Sequence, residues 1–264
     1  MGKVIGILSL KGGVGKTSIV VSLGGALASL GKKVLLVDAN FSSPNLGLHL
    51  NILNPETTIH HVMANDSNIS EAIHENDVFD VIPASSYFKR QISPLRLKYK
   101  LSQLKRKYDI ILIDSSPALN EETLAAMIAS DEILIVTTPD YPTISTTLKA
   151  VKIAKQRGTT ISGIILNKVY NRNFEIPIED IEKTIEVPVM AVIPYDINHL
   201  KALSKFTPST HHKPWSSGSR EYKKLAATLI GEKYHPFRIG NFFRITPKRQ
   251  DVNREIYYQR AFET

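Results

Sequence analysis

Runs of apolar, largely β-branched residues recur along the chain, and they lack the polar alternation of a half-exposed strand. Continuous apolar runs are typical of the strands of a parallel sheet that helices cover on both faces. A weaker run lies at Asp80–Ile82. The six stronger runs are Lys3–Leu8, Lys33–Val37, Asp109–Ile113, Glu132–Val136, Ile161–Leu166 and Val189–Ile193.

Helical segments lie between these runs. The alternation of strand and helix predicts an α/β fold, with a doubly wound, mostly parallel sheet flanked by helices. The predicted helices are Thr17–Leu30, Pro94–Lys107, Asn120–Ala129, Thr143–Arg157 and Ile178–Ile185.

The pattern changes towards the C-terminus. Phe206–Ser219 is rich in Pro, Ser and Gly and predicts a loop, and Arg220–Gly231 then predicts a helix that Gly231 ends. His235–Ile245 has apolar side chains at alternate positions, which indicates an appended element and not another strand–helix unit. We therefore predict a main domain over residues 1–234 and a C-terminal basic and aromatic extension over residues 235–264.

Composition narrows the class of protein. The 264 residues include no cysteine, which excludes disulfides, iron–sulfur clusters and cysteine-based zinc sites. The N-terminus has no signal-peptide pattern, and the apolar runs are too short to cross a bilayer. We expect a cytoplasmic protein, and its formal charge of +8 suggests an anionic partner.

The positive charge is concentrated in one segment. Val81–Tyr108 contains eight basic residues and no acidic one. If Pro94–Lys107 is helical, Leu97, Leu101, Leu104 and Tyr108 share one face. The basic side chains then point to solvent, where they either bind nucleic-acid phosphates or form an ordinary solvated surface. The eight are Lys89, Arg90, Arg96, Lys98, Lys100, Lys105, Arg106 and Lys107.

A glycine-rich stretch, SLKGGVGKTS at Ser9–Ser18, follows the first strand and opens the first helix. Backbone N–H groups at such a helix start favour phosphate, and glycines let the backbone approach it closely. Lys16 can bridge terminal phosphates and Thr17 can bind Mg²⁺. A glycine-rich turn without a ligand is the alternative. Lys11 adds a second lysine, which makes sense if it reaches a phosphate held by another subunit.

The stretch KGGVGKTS resembles the deviant Walker A motif of the MinD/ParA family of P-loop ATPases, and the resemblance extends from about Lys3 to Tyr234. It implies a homodimer with ATP and Mg²⁺ sandwiched between the subunits, with Lys11 acting in trans and Lys16 in cis. Thr17 is implied as the metal ligand of this loop. The residues implied to wrap the phosphates are Gly12, Gly13, Val14, Gly15, Lys16, Thr17 and Ser18.

Two carboxylates, Asp38 and Asp114, each end an apolar run, at the edge of a parallel sheet where ligands bind. A helix cap or turn is the alternative role for each. By resemblance, Asp38 begins the first switch loop and Asp114 the second, and both act on Mg²⁺ mainly through water. Asn45 matches the first-switch pattern more weakly.

One position departs from the family pattern. Asn40 stands where members usually carry an aspartate that positions or activates the attacking water. An amide can orient water but cannot take its proton. Because phosphoryl transfer depends mostly on positioning and charge stabilisation, we predict hydrolysis that is slow but not absent.

Three residues near the ends of later runs resemble adenine-pocket positions of the family. They are Asn167, Pro194 and Asp196, and turn residues are the alternative reading for each.

The bound surface and partner are left open by the sequence. A MinD-like spatial regulator of cell division or cargo positioning would bind a surface as the ATP dimer and be triggered by an activating protein. Aromatic residues beside Arg238 and Arg244 suit an anionic membrane, or they pack back as a strand. A ParA-like partitioner would bind DNA non-specifically at the nucleoid. A small-molecule ATP-dependent enzyme is the third alternative.

Overall fold

A computed structural model describes residues 2–234 and 247–263. Its centre is a seven-stranded sheet in which all neighbouring strands are parallel. The strand order is β3-β2-β4-β1-β5-β6-β7, which confirms the predicted α/β fold. The strands are β1 Lys3–Leu8, β2 Val34–Ala39, β3 Asp80–Ile82, β4 Ile110–Ser115, β5 Glu132–Thr137, β6 Thr160–Val169 and β7 Val189–Pro194.

Helices cover both faces of the sheet. Short 3-10 turns lie at Ile69–Ala72 and Pro94–Arg96. The α-helices are α1 Lys16–Ser29, α2 Leu46–His49, α3 Ile59–Met63, α4 Leu97–Ser102, α5 Glu121–Ala129, α6 Tyr141–Gln156, α7 Ile178–Ile185, α8 Ile197–Leu203, α9 Ser209–His212, α10 Ser217–Leu229 and α11 Arg249–Phe262.

The core has two halves, because successive side chains of a strand point to opposite faces. In β1, Val4 and Leu8 join one apolar cluster with α3 to α7, while Ile5 and Ile7 join the other with α1 and α10. Both faces of the central strands are therefore buried, as the unbroken apolar runs predicted.

The prediction of a loop over Phe206–Ser219 is partly wrong. It contains α9, and α10 begins within it at Ser217. The serines act as structural polar groups: Ser219 Oγ donates to the Ser209 carbonyl at 3.1 Å, and the Ser22 and Ser209 hydroxyls lie 2.9 Å apart. These buried contacts hold the segment on α1, which its composition did not indicate.

The helix predicted over Pro94–Lys107 is too long. A 3-10 turn precedes α4, which ends at Ser102. The Lys105 carbonyl accepts from Gly2 N at 2.7 Å, a tertiary contact that replaces the bond of a continued helix. The predicted apolar face is confirmed, since Leu97, Leu101, Leu104 and Tyr108 are all buried.

The last helix, α11, packs at the edge where the strands begin. Asn253 Nδ2 donates to the Val189 carbonyl at 2.8 Å, and Arg254 Nη1 donates to the Met190 carbonyl at 2.6 Å. Tyr257 donates to Glu132 Oε2 at 2.9 Å. Polar side chains therefore make these contacts of α11 with the sheet.

The aromatic pattern at His235–Ile245, including Arg238 and Arg244, lies outside the described residues. Across residues 2–234 and 247–263, no helix combines the length and apolar character needed to span a membrane.

Candidate functional site

The glycine-rich loop joins β1 to α1 and leaves the start of α1 uncapped by any side chain. Gly13 and Gly15 have positive φ angles of 78° and 94°, the left-handed region that favours glycine. A Cβ added at Gly12 or Gly13 would meet nothing within 4 Å. Unpaired N–H groups beside open space form a place where an anion can bind.

The two lysines of the loop lie in different surroundings. Lys16 is the first residue of α1 and is 8% exposed. Burial lowers the pKa of its ammonium, and the charge of Asp114 partly offsets that shift. Lys11 is exposed, and its ammonium makes no hydrogen bond or ion pair with the part of the chain that the structure describes. Val14 is buried between them, and Ser18 is half-buried.

Asp38 and Asp114 face each other in the register of β2 and β4, and both are almost fully buried. Thr17 Oγ1 donates to Asp114 Oδ2 at 2.6 Å. Asp38 accepts from three backbone N–H groups, those of Asn40 at 3.1 Å, Asn45 at 3.1 Å and Leu46 at 3.0 Å. The predicted carboxylate pair is thus brought together with Thr17.

Burial raises the pKa of both carboxyl groups of this pair. Burial and then the charge of Asp114 raise the pKa of Asp38 to about 8, against the lowering effect of its backbone donors. Burial raises the pKa of Asp114 to about 6, while the Thr17 hydroxyl and the Lys16 ammonium lower it. A bound cation would stabilise both carboxylates in their charged form.

The residues present fit Mg²⁺. Asp114 Oδ1 is buried and has no hydrogen-bond partner, so it can accept from a metal-bound water. Within the described ranges no group of three His, Cys, Asp or Glu side chains could hold a metal. A hydroxyl and two carboxylates suit Mg²⁺, which keeps several waters and binds substrate phosphates.

Asn40 lies in the loop between β2 and α2 and is 6% exposed. Its side-chain amide donates to the Ser43 carbonyl, whereas its Oδ1 is buried without a partner. Asn45 donates to the same carbonyl at 2.8 Å. Asn40 therefore presents one unused acceptor oxygen, which a water molecule can donate to.

Two side chains at the end of β6 donate hydrogen bonds to backbone carbonyls of the glycine-rich loop. Asn167 Nδ2 donates to the Val14 carbonyl at 2.7 Å, and Lys168 Nζ donates to the Gly13 carbonyl at 2.7 Å. The sequence reasoning missed the role of Lys168. Its only signal was a lysine directly after Asn167.

The three residues predicted to bind adenine make different contacts in the structure. Asn167 donates one N–H of its side-chain amide to the loop. The second N–H and Oδ1 are the atoms left for base recognition. Asp196 caps α8 and accepts from Asn198 N at 2.9 Å. Pro194 ends β7 beside it. The adenine roles of these residues stay a prediction.

A cavity of about 380 Å³ opens beside the loop. Its lining includes Lys11 and Lys168, together with Gly12, Gly13, Asp140 and Phe174. Burial alone would raise the pKa of Asp140. Hydrogen bonds from Thr138 and Thr143 and, to a smaller extent, the charge of Lys11 outweigh that effect, so the pKa is lowered. The cavity thus opens next to the loop and combines charged with apolar lining residues.

Comparison with known proteins gives consistent results. A family model described as an AAA domain matches residues 2–160. An ATP-binding protein of Methanocaldococcus jannaschii is 36% identical over 87% of this chain and 88% of its own length. The sporulation initiation inhibitor protein Soj of Bacillus subtilis is 33% identical over 86% of this chain and 97% of its own.

A solved structure is similar over most of the fold. It is the septum site-determining protein MinD of Pyrococcus horikoshii, complexed with Mg-ADP. The TM-score is 0.82, with 33% identity over 87% of this chain and 96% of that chain. The cofactors are therefore ATP and Mg²⁺, in agreement with the loop and its carboxylates. The chain belongs to the MinD/ParA family of P-loop ATPases.

Proposed function

We propose that this chain is an ATP-driven dimeric switch that acts in the spatial regulation of cell division or in cargo positioning. Two copies sandwich ATP and Mg²⁺, and the dimer then binds a surface. Hydrolysis, stimulated by an activating partner protein, returns the chain to monomers. The membership of the MinD/ParA family supports this scheme, and three features of the site support its particular steps.

The observation that carries the proposal is the contrast between Lys11 and Lys16. Lys16 is buried beside Asp114 at the start of α1, where it can bind its own subunit's phosphates. Lys11 is exposed at the rim of the same loop, and among the described residues its ammonium is unpaired. An unpaired cation there suits a phosphate that arrives with a second copy.

The edge of the sheet around the loop also suits a second copy. Large apolar side chains that follow the carboxyl ends of the strands remain exposed there, which is typical of an interaction surface. They include Leu48, Leu119, Tyr141, Tyr170, Phe174, Tyr195 and Ile197.

Slow hydrolysis follows from Asn40. Its Oδ1 can accept a hydrogen bond from the attacking water and so orient it, but an amide does not take the proton. The roles proposed for the other site residues are those of the sequence analysis: Lys16 and the loop N–H groups on the phosphates, and Thr17, Asp38 and Asp114 around Mg²⁺.

A second candidate surface, DNA, is favoured by the basic segment. Arg96, Lys98, Arg106 and Lys107 are exposed around α4 and the turn after it. Lys105 is less available, because it pairs with Asp131 at 2.7 Å. Exposed cations without acidic neighbours in the sequence can neutralise phosphates of any DNA sequence. A DNA-binding dimer would act at the nucleoid, whereas a membrane-binding dimer would act at the membrane.

Parallel sedimentation of the ATP-loaded protein with anionic vesicles and with DNA, over a salt series, tests the proposal. Vesicle binding that is lost in the variant Phe237→Ser/Phe242→Ser/Phe243→Ser, which leaves the residues of α11 unchanged, supports a MinD-like role. DNA binding that is lost in the variant Arg96→Gln/Lys98→Gln/Arg106→Gln/Lys107→Gln supports a ParA-like role. Binding that is equal with ATP and ADP would contradict a switch of either kind.

A further inference from the structure

The loop after Asp38 is joined to the helix after Asp114 by one side-chain contact. Ser42 Oγ donates a hydrogen bond to Glu122 Oε1, across 80 residues of sequence. Ser42 is exposed in the loop that also carries Asn40, and Glu122 is in the first turn of α5. In the described part of the chain, this is the only hydrogen bond between residues 40–45 and α5.

Glu122 is unusual for a helix-start carboxylate. It is 7% exposed, and its Oε2 is buried without a partner among the described residues. The preceding Glu121 occupies the same turn and is exposed, as carboxylates at a helix start usually are. Burial of a carboxylate with one oxygen unpaired is unfavourable, so stability alone does not account for this side chain.

The first turn of α5 is in turn fixed to the loop after Asp114. Thr123 Oγ1 donates to the Ala118 carbonyl at 2.6 Å and to the Ser116 carbonyl at 3.1 Å. The Thr123 N–H donates to Asn120 Oδ1 at 3.1 Å, which caps the helix. Glu122 is therefore held in place by the second switch loop, and Ser42 connects it to the first.

We propose that Glu122 is a positioning residue for ATP hydrolysis, acting through Ser42 on the loop that carries Asn40. This inference rests on the proposed ATPase function. Because Asn40 can orient the attacking water but cannot take its proton, it contributes to hydrolysis only through its placement. The Ser42–Glu122 contact fixes that placement relative to Asp114 and makes the two switch loops move together.

Single-turnover hydrolysis of radiolabelled ATP, measured alongside the dissociation constant for ATP, tests the inference. Ser42→Ala and Glu122→Ala should each slow hydrolysis about tenfold, as misplacement of a water-orienting group does. Each should leave the affinity for ATP within about twofold of the parent value, because neither side chain touches the glycine-rich loop. Ser42→Thr keeps the hydroxyl and should restore most of the rate.

The double variant Ser42→Ala/Glu122→Ala should be no slower than either single variant, since both remove the same contact. Glu121→Ala is a matched control on an exposed neighbour and should hydrolyse at the parent rate. A parent-like rate in Ser42→Ala, additive losses in the double variant, or a parallel loss of ATP affinity would overturn the inference. Absence of turnover in the parent protein would overturn the proposed ATPase function, and this inference with it.

Discussion

Asn167 and Val14 are 153 residues apart in the sequence, and the Asn167 side-chain amide donates to the Val14 carbonyl at 2.7 Å. A Cβ added at Gly15, the residue after Val14, would lie 2.5 Å from the same amide nitrogen. The end of β6 thus sets the orientation of peptides in the glycine-rich loop, and Lys168 does the same at Gly13.

Asn167→Ala is expected to weaken the binding of ATP and ADP alike, by about tenfold. It removes a buried hydrogen bond and leaves the Val14 carbonyl unpaired, a loss of about 1–3 kcal/mol. Isothermal titration with each nucleotide measures the effect. Lys149→Ala, an exposed lysine on α6, is the control. Unchanged affinity for both nucleotides in Asn167→Ala would show that the contact does not support the loop.

Asn40→Asp is expected to hydrolyse ATP faster than the parent protein, by about tenfold or more, since a carboxylate can accept the proton of the attacking water. Steady-state phosphate release at saturating ATP and Mg²⁺ measures the rate. A rate in the parent at or above that of Asn40→Asp would refute the assignment of slow turnover to this residue.

Asp38 and Asp114 should contribute less to the stability of the protein without Mg²⁺ or nucleotide as the pH rises. The pKa values of Asp38 and Asp114, about 8 and about 6, lie above the ordinary value of 3.8. The folded state therefore holds protons that the unfolded state releases. The stabilisation is complete below about pH 4 and is lost as the pH rises through about 8.

The variant Asp114→Asn isolates this effect from other titrating groups. It removes one carboxylate and also the charge that raises the pKa of Asp38. Melting temperatures in chelator, measured from about pH 5 to 9, should decline less steeply in Asp114→Asn than in the parent. Added Mg²⁺ should stabilise the parent more at the higher pH, because it binds the charged carboxylates. Parallel pH curves for parent and variant would contradict the argument.

Much of the fold and part of the site could be predicted from the sequence. Unbroken apolar runs such as Glu132–Val136 fill strands that are buried on both faces. The pairing of Asp38 with Asp114 followed because parallel strands end at a common edge of the sheet. These features depend on local pattern and on one general rule of parallel sheets.

Other features depend on partners far away in the sequence. The amide of Asn167 is matched to a carbonyl that only the folded loop presents. Serines of Phe206–Ser219 form helix caps and buried contacts because α1 lies beside them. The docking of α11 uses backbone carbonyls at Val189 and Met190. Apolar periodicity carries no information about such polar contacts.

Arg254→Ala is expected to destabilise the protein by about 3 kcal/mol. Arg254 is 5% exposed, and its Nη1 lies 2.9 Å from Glu221 Oε1. Removal of the guanidinium leaves that buried carboxylate without its opposite charge. Urea unfolding measures the change. Gln259→Ala alters an exposed position of the same helix and should have little effect. Equal, small changes in both variants would mean that the contacts of Arg254 do not stabilise the domain.

The central claim is that Lys11 acts on the nucleotide of a second subunit. Light scattering after size exclusion, with ATP and Mg²⁺ and with ADP and Mg²⁺, measures the dimer directly. We predict a dimer with ATP for the parent protein, a monomer with ADP, and a monomer with either nucleotide for Lys11→Ala, which should still bind ATP through Lys16. A parent protein that stays monomeric with ATP, or a Lys11→Ala variant that dimerises as well as the parent, would contradict the account.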